Sequence, residues 1–191
     1  MRSQFFHIPH FLAPELPVCR TAIWNQTITV IAGIGTRGAA PTQLNGPIDA
    51  KFDANGTLFV ADTTNNRIQK YTNHSLTGTT LSNLTLSSPT AIYIKNTNLI
   101  YILDSGNYRV QQWTNTIVVT VAGGNGSGTT PNKIGQSYGL YVDNDDNIYI
   151  SEHTNHRVTK WLKENRAAGI VVSHITSDQL LHICERAFAN Y

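Results

Sequence analysis

One pattern of an acid, an asparagine and an arginine occurs three times in this 191-residue chain. The three residue types keep the same offsets in every copy, as Asp62, Asn65 and Arg67, then Asp104, Asn107 and Arg109, then Glu152, Asn155 and Arg157. The arginines recur after 42 and 48 residues, a period that is typical of propeller blades and solenoid repeats. The repeat therefore constrains the architecture much more than it constrains the function.

Short apolar runs precede the acid in all three copies, at Leu58–Ala61, Ile100–Leu103 and Ile148–Ser151. Because nearly every position in these runs is apolar, each is predicted to be a central strand covered on both faces. Weaker strands are predicted before the runs, and five-residue strands that end in an aromatic residue are predicted from each arginine.

A fourth strand is predicted at Val118–Ala122, with counterparts at Thr27–Ala32 and Ile170–Val172. Four short antiparallel strands in each repeat are the composition of a propeller blade. The sequence therefore predicts an all-β protein that is built from stacked blades.

The repeats resemble the NHL-repeat family, and the likeness is strongest in the third copy, over Gly139–Asp143, Asn147–Ile150 and Asn155–Trp161. This copy has Glu152 where the family motif has aspartate, and the second copy has Ile92–Lys95 where the family usually has a glycine and an Asp turn. The resemblance implies a β-propeller of NHL type that is incomplete, with about three to four blades of four antiparallel strands.

We expect three regions along the chain. Residues 1–18 are predicted to be an irregular N-terminal extension, and residues 19–172 a partial propeller with motif copies at about 47–71, 89–113 and 137–161. Residues 173–191 are predicted to form a short amphipathic helix after a capping box of Thr176 and Gln179. A closed ring of six blades needs roughly 270 residues, so we expect this chain to be a fragment of a longer propeller.

The repeated residues bracket a predicted hairpin between the second and third strands of each blade. Left-handed backbone angles are expected at Asn65, Gly106 and Asn107, because Asn and Gly tolerate them. The carboxylate can accept amide hydrogens in that turn, and the guanidinium can hold a carboxylate or carbonyl oxygens. We favour a structural role for these residues. The alternative is that the hairpins lie on one rim and form a binding surface.

Signals of catalysis, metal binding and nucleic-acid binding are weak. His153 and His156 share a hairpin, but the sequence has no Cys/His zinc spacing and no hydrolase or phosphate-loop motif. The net charge is +2 and the basic residues are spread through the repeats, so we do not expect RNA binding. The predictions are therefore no metal site, no cofactor and no enzymatic activity.

The resemblance also sets the functional expectation. NHL propellers mostly act as rigid binding surfaces for proteins or RNA, sometimes as the recognition part of ubiquitin ligases, and in one branch as a zinc-dependent peptidyl amidating lyase. The sequence favours a non-enzymatic scaffold for a protein partner, with self-association through open blade edges. The alternatives are a ligase-associated recognition propeller and a degenerate relative of the lyase.

The sequence leaves two cellular locations open. No apolar stretch approaches the ~20 residues of a membrane span, and the N-terminus is a poor signal peptide. We expect secretion if a signal peptide lies upstream of this chain, and a cytoplasmic protein otherwise. Acceptor sequences for N-glycosylation begin at Asn25, Asn55, Asn73, Asn83 and Asn125.

Overall fold

The computed structural model describes residues 29–72 and 75–172, which form twelve strands in three four-stranded sheets. In chain order the strands are β1 (Pro47–Phe52), β2 (Leu58–Asp62), β3 (Arg67–Tyr71), β4 (Thr79–Thr80), β5 (Pro89–Asn96), β6 (Leu99–Asp104), β7 (Arg109–Trp113), β8 (Val118–Gly123), β9 (Ser137–Val142), β10 (Ile148–Glu152), β11 (Arg157–Leu162) and β12 (Asn165–Val171). Each sheet is an antiparallel meander in which neighbours in the chain are neighbours in the sheet. The predicted all-β fold with four strands per blade is confirmed.

The fourth strands differ in length among the blades. The first blade ends in the two-residue β4, whereas β8 has six residues and β12 has seven. The strand expected at Thr27–Ala32 is not found over residues 29–32. A fourth strand must pair with the third strand of its own blade, and the described residues contain no blade before β1.

Two apolar layers hold the blades together. Phe59, Ala61 and Ile68 of the first blade pack against Ile100 and Ile102 of the second. The alternate side chains of β6, Tyr101 and Leu103, pack instead against Ile148 and Ile150 of the third blade. Successive strand residues point to opposite faces, so a strand between two sheets must be apolar at every position, as the run in β6 is.

The face of the third blade that is turned away from the second blade does not follow this pattern. Ser151 is exposed and Tyr149 is only half-buried, whereas Ala61, Phe59, Leu103 and Tyr101 at the matching positions are buried. The prediction that Ile148–Ser151 is covered on both faces is therefore wrong for one face. No further sheet packs there within the described part of the chain, and the polar Ser151 fits that exposure.

An ion-pair network joins the second and third blades at the ends of the strands where β9 turns into β10. Asp146 pairs with Lys95 at 2.9 Å and with Lys163 at 2.8 Å. The hydrogen bonds from Lys163 and Lys95 hold the pKa of Asp146 below its ordinary value of 3.8. Asp146 itself has a left-handed backbone, with φ of 64°.

The expected N-terminal extension at residues 1–18 and the expected helix at residues 173–191 lie outside the described residues. Over residues 29–72 and 75–172, no helix is long and apolar enough to cross a membrane.

Candidate functional site

The three hairpins that carry the repeated residues lie at one end of the sheets. In the first two blades the hairpin is a short 3-10 turn, at Thr63–Asn65 and Ser105–Asn107. The residue just before each arginine is left-handed, with φ of 56° at Asn66, 53° at Tyr108 and 51° at His156. The sequence prediction placed the left-handed residues at Asn65, Gly106 and Asn107, and it is wrong by one to two positions.

Gly106 is required for a different reason, which is close backbone approach. Its N–H donates to the Ser87 carbonyl at 2.9 Å. A Cβ atom at Gly106 would stand 2.8 Å from that same carbonyl oxygen and 2.5 Å from the Ser87 hydroxyl. The glycine therefore lets the second hairpin lie directly against the segment that precedes β5.

The buried carboxylate of the first hairpin accepts three hydrogen bonds. Asp62 is fully buried, and its Oδ2 accepts from Arg67 Nε at 2.7 Å and from Asn65 Nδ2 at 2.8 Å. Its Oδ1 accepts from the backbone N–H of Asn45 at 2.7 Å. The amide hydrogen thus comes from the chain before β1. The sequence analysis predicted a donor within the turn itself, and that prediction is wrong.

The second and third hairpins repeat this arrangement. Asp104 accepts from Arg109 Nε at 2.7 Å, from Asn107 Nδ2 at 2.8 Å and from the Ser87 N–H at 2.7 Å. Glu152, with its longer side chain, makes the same three bonds through Oε2 alone, to Arg157, Asn155 and Gly135. Its Oε1 is left to accept from the Thr159 hydroxyl at 2.8 Å, so the replacement of aspartate by glutamate keeps the arrangement.

These bonds tie each hairpin to the connector that leads into its own blade. We name the connectors by number: the first is residues 33–46, the second is 81–88 and the third is 124–136. Arg67 donates to the carbonyls of Ala39, Ala40 and Gln43 in the first connector. Arg157 donates to the carbonyls of Thr129 and Lys133 in the third. We call the edge formed by the three hairpins and three connectors the hairpin rim.

Sequence reasoning missed two hydroxyls that link successive blades. Thr63 Oγ1 donates to the Pro89 carbonyl at 2.7 Å, and the Ser105 hydroxyl accepts from the Ser137 N–H at 3.0 Å. Both residues directly follow the acid, and the third copy has the exposed His153 at this position. The sequence does contain a signal for these links. A small hydroxyl residue follows the acid in the two copies that are followed by another blade.

Aromatic side chains lie on the hairpin rim around a pocket of about 320 Å³. Tyr138 and Ile48 line this pocket and are 43% and 51% exposed. Tyr108 also lines it. The rings of Tyr138 and His153 contact edge to face, with their centroids 5.6 Å apart. The rim therefore presents exposed aromatic and apolar groups beside the buried ion pairs.

Within residues 29–72 and 75–172, no group of three or more His, Cys, Asp or Glu side chains could hold a metal ion. His153 and His156 are both exposed. Of the acceptor sequences for glycosylation, those at Asn55, Asn83 and Asn125 fall in the described ranges, and all three asparagines are exposed.

Comparison with known proteins identifies the repeat. A sequence model of the NHL repeat matches residues 44–71, which cover the first connector's end, β1, β2, the first hairpin and β3. The predicted NHL resemblance is confirmed. A search of curated proteins found no match to this chain.

Solved propeller structures resemble the fold. A streptogramin B lyase matches 68% of this chain with a TM-score of 0.52 and 17% sequence identity. Virginiamycin B lyase from Staphylococcus aureus, in a catalytically inactive form with quinupristin, matches 69% of it with a TM-score of 0.50 and 17% identity. The matches cover 42% and 43% of the lyase chains, so this chain spans less than half of their length.

The prediction that this protein is not an enzyme is wrong. It relied on the absence of familiar catalytic motifs, yet the two solved structures described above, which share the fold, are lyases. Motifs such as the hydrolase elbow belong to other folds, so their absence gives no information about propeller enzymes. At this level of identity the likeness shows the fold, and function must be argued from the site.

Proposed function

We propose that this chain of NHL repeats recognises a protein partner through the hairpin rim. The observation that carries the proposal is the concentration of aromatic and apolar side chains around the rim pocket, where Ile48, Tyr138 and His153 are exposed and Tyr108 is half-buried. Tyrosine and other aromatic residues are enriched at the centres of protein interfaces, where they supply large contact areas.

The buried ion pairs support this proposal by making the rim rigid. Asp62, Asp104 and Glu152 each hold a hairpin and its connector in one position through three hydrogen bonds. A surface that is ordered before binding loses less conformational entropy when a partner docks. In this proposal the repeated acid, asparagine and arginine act as structural fastenings, and the neighbouring aromatics make the contacts.

The opposite edge of the sheets offers a matched control surface. The turns at 53–57 and 143–147 lie at the other ends of β2 and β10, and Asn55 and Asp145 in these turns are exposed and polar. Their side chains can be changed without affecting the rim. A double replacement there tests whether binding depends on one particular edge.

The test is selection from a random peptide-display library on the immobilised full chain. The selected peptides are then measured against a rim variant, Tyr138→Ser with His153→Ser, and a control variant, Asn55→Ser with Asp145→Ser. We expect the rim variant to lose affinity by about tenfold or more. Truncation of an aromatic residue at the centre of an interface typically costs about 2 kcal/mol of binding free energy. Equal binding to both variants, or loss only in the control, would contradict the proposal.

A further inference from the structure

The second connector is shorter than the third and leaves its arginine less covered. It has eight residues between β4 and β5, whereas thirteen residues lie between β8 and β9. The side chain of Arg109 is 25% exposed, against 14% for Arg67 and 12% for Arg157. The three arginines occupy the same place in the repeat, so the difference comes from the connector.

The hydrogen bonds show what the short connector lacks. Arg67 donates from its two terminal nitrogens to three connector carbonyls, and Arg157 donates to two. In the described part of the chain, the single carbonyl that accepts from Arg109 is that of Thr85, at 2.6 Å. The Gln111 side-chain amide is best placed with its oxygen toward Arg109, where that oxygen accepts from Arg109 Nε at 2.7 Å and from Nη1 at 2.8 Å.

The asparagines of the three hairpins show the same difference. Asn65 Nδ2 donates to the Gly38 carbonyl at 2.8 Å, and Asn155 Nδ2 donates to the Gly128 carbonyl at 2.9 Å, in addition to their bonds with the acids. Within the described residues, Asn107 Nδ2 donates to Asp104 at 2.8 Å and to no connector carbonyl. A glycine-containing turn covers the first and third hairpins and is missing from the second.

An open groove of about 580 Å³ lies where that turn would be. Its volume is in the range of protein ligand sites. The residues that line it are Thr85, Asn107, Arg109, Thr120, Gly123 and Gly124. Its lining thus contains Arg109 and Asn107, whose counterparts in the other two hairpins donate to carbonyl oxygens of their own connectors. A guanidinium has five N–H donors, so the bonds to Asp104, Thr85 and Gln111 leave donors on Arg109 for a further acceptor.

We propose that this groove binds a glycine-containing turn of a partner polypeptide, whose main-chain carbonyls accept from Arg109 and Asn107. Neutral carbonyls fit better than a carboxylate, because the buried Asp104 already neutralises Arg109 at 2.7 Å and would repel a second negative charge. The inference rests on the proposed function only in taking the partner to be a protein. It assigns a second, separate contact on the hairpin rim.

The test uses a probe taken from the fold itself. A synthetic peptide with the sequence of residues 126–133, acetylated and amidated, contains the two carbonyls that Arg157 holds. It is titrated into the isotope-labelled full chain while the backbone amide signals of Thr85, Gly123 and Gly124 are followed by NMR. We expect saturable shifts confined to these residues and their neighbours.

Two variants locate the binding. Thr120→Trp fills the groove from an exposed position on β8, and Thr116→Trp places the same ring on an exposed residue that does not line it. The groove-filling change should weaken binding at least about tenfold. The tryptophan ring would keep a peptide carbonyl away from Arg109, and the loss of one hydrogen bond to a charged group has an effect of this size. The control change should leave binding unaltered. Arg109→Lys should also weaken binding, since a lysine lacks the planar array of donors.

Absence of saturable shifts, or shifts that persist unchanged in the Thr120→Trp chain, would overturn the groove proposal. Either result would leave the proposed contact at the rim pocket standing, because that contact is tested separately with the Tyr138 and His153 variant and with selected peptides. Conversely, if the Tyr138 and His153 variant bound the selected peptides normally, the peptide-induced shifts at Gly123 and Gly124 would still be expected. The two proposals can therefore fail separately.

Discussion

Removing the buried carboxylate of the first hairpin should destabilise the fold strongly. In the Asp62→Ala variant, Arg67 Nε, Asn65 Nδ2 and the Asn45 N–H all lose their acceptor. Asp62 is fully buried, so water reaches these donors poorly in the folded protein. The variant leaves the positive charge of Arg67 without its partner.

The expected cost follows from known behaviour of such pairs. Breaking a buried ion pair by removing one partner costs about 3–5 kcal/mol. For a chain of this size, each kcal/mol lowers the melting temperature by about 2–4 °C. The Asp62→Ala chain should therefore melt about 6–20 °C lower, and its urea midpoint should fall in proportion.

A matched control is Asp53→Ala in the turn between β1 and β2. Asp53 also accepts backbone amide hydrogens, from Asn55 and Thr57 at 2.9 and 2.8 Å, but it is partly exposed. Its loss should cost about 1 kcal/mol. Urea unfolding followed by circular dichroism compares the two variants. If Asp62→Ala costs no more than Asp53→Ala, the claim that the acid fastens the hairpin is refuted.

A double-mutant cycle isolates the pair itself. Arg67→Ala should also destabilise, and the double variant should lose less than the sum of the single losses, with a coupling of about 0.5–3 kcal/mol. Simple additivity would show that the acid and the arginine act independently, and would contradict the geometry.

Three further predictions concern other parts of the fold. His156→Asn should raise the urea midpoint, because the left-handed φ of 51° costs an ordinary residue about 1 kcal/mol and asparagine less; a lowered midpoint would contradict this. Asp146→Asn keeps the left-handed turn but removes the charge. Since Lys163 and Lys95 lower the pKa of Asp146, its contribution should be present above the ordinary pKa of 3.8 and be lost as the pH falls through the lowered value. The stability difference between wild type and variant should thus shrink in acid, and a constant difference would be the contrary result. Phe52 lies opposite Leu58 on the face of the first blade that is turned away from the second blade, and it is 57% exposed, so we expect the chain to self-associate and Phe52→Lys to reduce this in light scattering; a wild-type chain that stays monomeric at all concentrations would refute the expectation.

The sequence was sufficient to predict the sheets because their residues repeat in register. The runs before Asp62 and Asp104 are apolar at consecutive positions, and burial on both faces explains this directly. The third run departs from the pattern at Ser151. That single polar residue already indicated an uncovered face, but a motif comparison gives it no weight.

The site was harder to predict because its contacts are not local. Asp62 and Asn45 are seventeen residues apart, as are Asp104 and Ser87, and Glu152 and Gly135. The spacing is constant, but the donors are backbone N–H groups of three different residue types, so no side-chain motif marks them. The hairpin conformation was misassigned because Asn and Gly favour left-handed angles, whereas Asn65 and Gly106 are used here for a side-chain bond and for close approach. The open groove at Arg109 could not be predicted, since it depends on how a shorter connector lies in space.

The central claim is that buried acids hold the connectors against the hairpins, and hydrogen exchange of three backbone amides tests it most directly. The N–H groups of Asn45, Ser87 and Gly135 each donate to such an acid, so all three should exchange slowly despite lying in loops. In the Asp62→Ala chain, Asn45 should lose protection while Ser87 and Gly135 keep theirs. Fast exchange of these amides in the wild-type protein, as fast as at the exposed Gly126, would contradict the account.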